Sequence, residues 1–373
     1  MPVERQQATQ GLLVRVLRNP ATLPDLAPEE IDLALRLLRR VRLLGRVASG
    51  LTDADRARLP ETAREQLESA TVLAAARTRA ALWELDRVVY VLRLHGFDAP
   101  VVLLKGCAYA TLGTPNAPAR LLADVDLLVP EVDLALVESL LRQHGWQAKE
   151  LNPYDERYYR RWAHELPPLV HVERGVEVDL HHNLLMRTAR RRPDAELLFA
   201  EARPLPGLQA HALAPIDMVL HSIVHLFEGG EMDDALRELV DIDQLLRHFG
   251  ASEPRFWEHF WPRAQALDLG RPAFYGLRYA QRLLGTPVPD QVLAAAQESA
   301  PSGATLQLMD RLVPRALFPC HPDRPDRAVA VARWLLYLRS HWVKMPPVML
   351  ARHLAVKAYR RLIPDHRSEA PPG

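Results

Sequence analysis

The segment Leu121-Leu122-Ala123-Asp124-Val125-Asp126-Leu127-Leu128-Val129 is an apolar run interrupted by two carboxylates. Side chains of a β-strand alternate between its faces, so Asp124 and Asp126 would stand side by side while Val125 and Leu127 face a core. Two adjacent carboxylates repel each other, and burying them without a partner is costly. A divalent cation held by both removes that cost, so the segment predicts a strand with a metal site on one face.

A chain of 373 residues is long enough for two or three folding units, at a prior of about 150 residues each. Hydrophobic residues make up 48% and charged residues 25%, an ordinary globular composition. With 47 basic and 46 acidic side chains there is no net field that points to nucleic acid, and only local patches remain compatible with it. Cys107 and Cys320 lie far apart and form neither a metal pair nor a disulfide framework, so a reducing compartment is expected. The start, Met1-Pro2-Val3-Glu4-Arg5, lacks a basic flank followed by an apolar core. No stretch approaches the roughly 18 apolar residues of a membrane span, and the expected location is the cytoplasm.

Apolar residues recur at helical spacing from Pro28 to Leu51 (Ile31, Leu35, Leu38, Val41, Leu44) and from about Glu61 to His95 (Leu67, Val72, Leu82, Leu85, Val89, Leu92). The second pattern ends at Gly96, a C-cap residue, and the two together predict an N-terminal helical region over 1–98. Short valine-rich runs at Val101 to Leu104, Asp124 to Val129, Leu169 to Glu173 and Val176 to Leu180 read as strands. A helix from Val132 to His144 and a hairpin about Arg174-Gly175 connect them, which predicts a small mixed-sheet core over 99–210. Helical patterns return at Ile216 to Glu228, Asp233 to Phe249, Phe256 to Leu267, Arg271 to Leu284 and onward to Ile363. They predict a C-terminal helical region over 211–365 and a short tail, 366–373. The fold class expected is α+β, with a mixed-sheet core flanked by helical regions.

Three segments of the core carry candidate chemistry. In Leu103-Leu104-Lys105-Gly106-Cys107 a strand runs into a glycine and then a helix start, where backbone N–H groups and the helix dipole can receive phosphate and Lys105 can add a charge. Asp124 and Asp126 follow Arg120, which either steers a phosphate or neutralises the two acids. Glu177-Val178-Asp179-Leu180-His181 is a second strand with acids on one face.

In this order the glycine turn, the Asp-x-Asp strand and the third acid resemble the nucleotidyltransferase superfamily that shares its fold with polymerase beta. More closely, the chain resembles an uncharacterised bacterial nucleotidyltransferase family with a Lys-Gly turn, an Arg-x-x-x-Asp-x-Asp-Leu-Leu-Val strand and a Val-Asp-Leu-His strand. The likeness is strongest from Val101 to Asn183 and extends weakly over His221 to Leu246, with His225, Arg237 and Asp241. It implies a nucleotidyltransferase core with Mg²⁺ or Mn²⁺ held by Asp124, Asp126 and Asp179, and a nucleoside triphosphate such as ATP held by Lys105, Gly106, Cys107 and Arg120. Transfer of a nucleoside monophosphate to a hydroxyl would release pyrophosphate. The acceptor could be a small metabolite, a peptide, a protein side chain or an RNA end, and no linear motif encodes the acceptor, the nucleobase or the oligomeric state. Better-known members have serine where this chain has Cys107, a weak donor, which shifts phosphate binding toward backbone N–H groups and Lys105. A non-catalytic nucleotide-binding protein and a metal-dependent phosphohydrolase on the same carboxylates are the competing readings.

Several other residues have plainer expectations. His181 and His182 form a pair without further ligands at zinc spacing. His221 and His225, one turn apart, are expected to pack or hydrogen-bond rather than bind a metal with Asp217 or Glu228. Arg237 and Asp241 are expected to form a helix-surface ion pair. The stretch from Arg333 to Arg361 interleaves Trp334, Tyr337, Trp342 and Tyr359 with basic residues and is expected to pack on the helical core with a solvated basic face, rather than to stack on nucleic acid or lie on a membrane.

Overall fold

The computed structural model describes residues 2–230, 232–352 and 355. Seven short strands form one mixed sheet: β1 Val102–Leu103, β2 Asp124–Leu128, β3 Trp146–Ala148, β4 Leu169–His171, β5 Glu177–His181, β6 Arg203–Pro204 and β7 His211–Ala212. Their spatial order is β3-β4-β5-β2-β1-β7-β6. The pairs β2/β5 and β1/β7 are parallel and the other four are antiparallel. Helices precede the sheet, notably Pro28–Arg40, Leu44–Ser49 and the long Glu61–Leu94, and others follow it, from Pro215–Gly229 and Ala235–Ser252 to Arg327–Lys344. The architecture is α+β, as the sequence pattern predicts.

Alternation along β2 has the expected effect: Val125 and Leu127 are fully buried, and the hydrophobic residues of the sheet and of both helical regions belong to one continuous core. The turn between β4 and β5 contains Gly175 at φ +75°, as the Arg174-Gly175 hairpin requires.

Other elements differ from expectation. The pattern from Pro28 to Leu51 is two helices, because Arg42 adopts φ +58° and breaks the chain direction between them. The break lets Gly45 pack on the backbone of Ala119, whose carbonyl oxygen would lie 2.6 Å from any Cβ at that position. In the long helix Leu67, Leu85, Val89 and Leu92 are buried, but Val72 is 61% exposed and Ala74 takes the buried position of that turn. Strands β3, β6 and β7 and the helices Pro153–Trp162 and Ala195–Glu201 have no counterpart in the sequence reading. Strands of two or three residues are too short to show a period, and tertiary pairing alone defines them. β7 pairs with β1, so the sheet runs to Ala212.

Near the C-terminus Trp334 is 58% exposed, while Trp342 lies 4.8 Å from the Arg190 guanidinium and Arg339 donates to the Phe227 carbonyl at 2.7 Å. Tyr359, Arg361, the segment to Ile363 and the 366–373 tail lie outside the described residues. Among the described residues no helix is long and apolar enough to cross a membrane.

Candidate active site

The register of β2 on β5 builds the acidic cluster. Asp126 lies opposite Asp179 and Asp124 opposite Glu177 in the parallel pair, so all four acids share one face of two adjacent strands. Glu177 is drawn away by an ion pair with Lys149. One carboxylate oxygen from each of Asp124, Asp126 and Asp179 falls within 4.8 Å of the others.

Charge balance in this cluster is unequal. Asp126 is 2% exposed and its Oδ1 accepts from Lys105 Nζ at 3.1 Å and contacts His181 Nε2 at 3.1 Å. Burial opposes its ionisation, but Lys105 and His181 outweigh burial and hold its carboxyl well below the usual range. The Asp126 charge, and then burial, raises the Asp124 carboxyl. Asp179 is pushed up to about 8 by burial and by Asp126, and its Oδ1 is buried with no hydrogen-bond partner. An all-oxygen donor set with one orphaned buried oxygen fits a hard divalent cation such as Mg²⁺ or Mn²⁺.

Lys105 begins the helix Lys105–Leu112 at φ +43°, a left-handed conformation that costs a lysine about 1–3 kcal/mol. This turn carries the ammonium back over β2. Burial weakens that charge, but Asp126, Asp124 and Glu165 outweigh burial and keep Lys105 protonated. Gly106 is required for a different reason: a Cβ there would lie 2.6 Å from Arg120 Nη1. The Arg120 guanidinium therefore lies against the helix start, with Nε donating to Asp241 Oδ2 at 3.0 Å and its centre 5.4 Å from the Tyr109 ring. The Cys107 thiol is buried and turned to the Asp124 carbonyl at 3.8 Å, so the side chain packs helix on strand.

Two hollows meet at Lys105 and Asp124. One, of about 340 Å³, is lined by Tyr109, Arg120, Arg237 and Asp241, and the other, of about 550 Å³, by Asp126, Asp179, His164, Glu165 and His181. The first sets Lys105, Arg120 and Arg237 among Asp124, Asp234, Glu238 and Asp241, and the second adds Asp126 and Asp179.

The expected Arg237–Asp241 pair is replaced. Asp241 turns inward to Arg120 and to Asn116 Nδ2 at 3.1 Å, while Arg237 pairs with Asp234 at 3.0 Å. A buried carboxylate takes the partner that fully covers it, and the surface neighbour does not. The histidines of the following helical region pack or hydrogen-bond: His225 Nδ1 meets Glu238 Oε1 at 2.9 Å and His221 is buried. Asp217 and Glu228 are committed to arginines, the former to Arg263 at 2.6 Å.

The expected pairing of His181 with His182, without further ligands, is replaced by a different grouping. Folding brings His164 and Glu165 to His181, whereas His182 points the other way, to the Ala163 carbonyl and Glu131. Neither His164 nor Glu165 sits in a spaced motif, and the only sequence signal is their adjacency in a polar segment ahead of a strand.

A helix-flanked mixed sheet with paired acids on one strand, a third on its parallel neighbour and a glycine turn beside them defines a nucleotidyltransferase-type protein. The profile of the uncharacterised nucleotidyltransferase family matches residues 27–285, and the chain belongs to that family. No curated protein and no solved structure matches it.

Proposed function

We propose that this protein transfers a nucleoside monophosphate from a nucleoside triphosphate to a hydroxyl of an acceptor and releases pyrophosphate. The observation that carries this reading is the convergence of Asp124, Asp126 and Asp179 beside the Lys105-Gly106 turn. A divalent ion held by these three carboxylates would neutralise charge on the phosphates and on the attacking oxygen. Lys105, Arg120 and the backbone N–H groups that open the helix would hold the triphosphate and keep its α-phosphorus over β2. Asp179 would accept the acceptor proton as its oxygen bonds to the α-phosphorus and the bond to the β-phosphate oxygen breaks. The larger hollow, on the Asp179 side, leaves room for the acceptor, and its mixed lining of Tyr158, His164, His221 and Tyr337 suits a polar molecule with flat or apolar parts.

The test is calorimetric titration of each ribonucleoside triphosphate with Mg²⁺ into wild type and an Asp124→Asn/Asp126→Asn variant. Binding that needs the metal and disappears in the variant, followed by pyrophosphate release when a suitable acceptor is added, is the expected result. Release of inorganic phosphate without an acceptor would favour the phosphohydrolase reading, and folded wild type that binds no triphosphate would remove the transferase one.

A further inference from the structure

The residues around His181 form a cluster to which the proposed transfer assigns no metal. Segment 164–166 runs antiparallel beside the end of β5: Leu166 N–H donates to the Leu180 carbonyl at 2.9 Å and His182 N–H to the His164 carbonyl at 2.8 Å, with Glu165 opposite His181. This pairing fixes the backbone of all three residues. It sets the His164 and His181 ring centroids 5.4 Å apart and brings Glu165 Oε2 to 3.3 Å from His181 Nδ1. One ligand atom from each of His164, Glu165 and His181 lies within 4.8 Å of the other two.

Hydrogen-bond satisfaction points to a missing ligand. His181 is 2% exposed, and the Nδ1 atoms of His181 and His164 are both buried without a hydrogen-bond partner; the Glu165 contact at 3.3 Å is close in distance but is not an aligned hydrogen bond. An unsatisfied buried polar atom costs about 1–3 kcal/mol; of the two, His181 Nδ1 faces the Glu165 carboxylate, which His164 approaches through its other nitrogen, Nε2, at 3.9 Å. The other nitrogen of His181 meets Asp126 Oδ1 at 3.1 Å. A carboxylate on one imidazole nitrogen and a cation on the other is the usual arrangement of a metal-bound histidine.

We propose that His164, Glu165 and His181 form a second metal site, selective for a nitrogen-preferring divalent ion of the zinc type and separate from the all-oxygen acidic cluster. Two imidazoles and one carboxylate supply three ligands and leave a coordination position open, the ligand count of catalytic rather than structural zinc sites. All three residues line the same hollow as Asp124, Asp126 and Asp179, so the open position faces the space assigned to the acceptor. His181 links the two sites through Asp126, and an ion on the histidine side would hold Asp126 in orientation.

The experiment measures metal alone, so it is independent of nucleotide turnover. Chelator-stripped wild type, His164→Ala, Glu165→Gln and Asp124→Asn are titrated calorimetrically with Zn²⁺ in excess Mg²⁺, with folding checked by circular dichroism. The expected result is one Zn²⁺ bound by wild type and by Asp124→Asn, with affinity lower by about tenfold or more in both His164→Ala and Glu165→Gln, because each loses a direct ligand. Wild type that binds no Zn²⁺, or equal affinity in wild type and both ligand variants, overturns the proposal. Loss of Zn²⁺ by Asp124→Asn overturns its separateness from the acidic cluster. Failure of nucleotide binding bears only on the transferase reading.

Discussion

Asp179 and Gly106 show how single residues answer to their surroundings. The Asp179 carboxyl ionises near pH 4 in an unfolded chain but only at about 8 in the folded one, where burial and Asp126 oppose its charge. An acid with a raised folded value contributes stability that is complete below the unfolded value and is lost as pH rises toward the folded one. In metal-free protein, Asp179→Asn is therefore expected to be more stable than wild type at pH 8, by about 1–3 kcal/mol, and nearly equal to it near pH 4. Urea denaturation at the two pH values measures this. Added Mg²⁺ should stabilise wild type and not the variant, and equal stabilities at pH 8 would show that Asp179 is not confined as described. Gly106 keeps a helical φ, so its substitution meets a steric rather than a torsional barrier. Gly106→Ala is expected to displace the Arg120 guanidinium and weaken triphosphate binding about tenfold, at a stability cost of about 1 kcal/mol. Isothermal titration beside thermal melting separates the two effects.

At the scale of elements, the alternation of β2 and β5 is local and was readable in advance, because a strand has the same two-residue period in any fold. The partners of the loop before β2 were not readable. Arg120 reaches Asp241 on the helix Ala235–Ser252 across 121 positions of sequence, and no period encodes such a distance. Arg120→Met is expected to cost about 3–5 kcal/mol because it leaves the buried Asp241 charge without its ion-pair partner. Arg120→Met/Asp241→Asn should recover part of that loss, since no buried charge then lacks its pair. Chemical denaturation of the single and double variants tests this, and equal stabilities of the two would show that Asp241 gains little from Arg120. The same limit explains why Arg237 pairs with Asp234 and not with Asp241: helical spacing makes neighbours available, but burial decides which of them is used.

Across the whole molecule, the N-terminal helices hold the sheet through a buried charge. Glu84 on the long helix Glu61–Leu94 is 0% exposed and accepts two bonds from Arg174, at 2.6 and 3.2 Å, in the turn between β4 and β5. The Arg174 guanidinium also lies 4.7 Å from the Trp146 ring of β3. Arg174→Met is expected to destabilise the protein by about 3–5 kcal/mol, and Arg174→Met/Glu84→Gln by less. Unfolding followed by tryptophan fluorescence reports on this region through Trp83 and Trp146. The amino-acid order alone established the α+β class, the pairing of Asp124 with Asp126 on one face and the glycine turn upstream, because each depends on periods and turn chemistry spanning a few residues. Tertiary structure decided the rest: Lys149 takes Glu177, Arg120 goes to Asp241, and His164 and Glu165 meet His181. Those outcomes depend on which strand lies beside which and on the cost of burying an unmatched charge, and both are set only when distant parts of the chain come together.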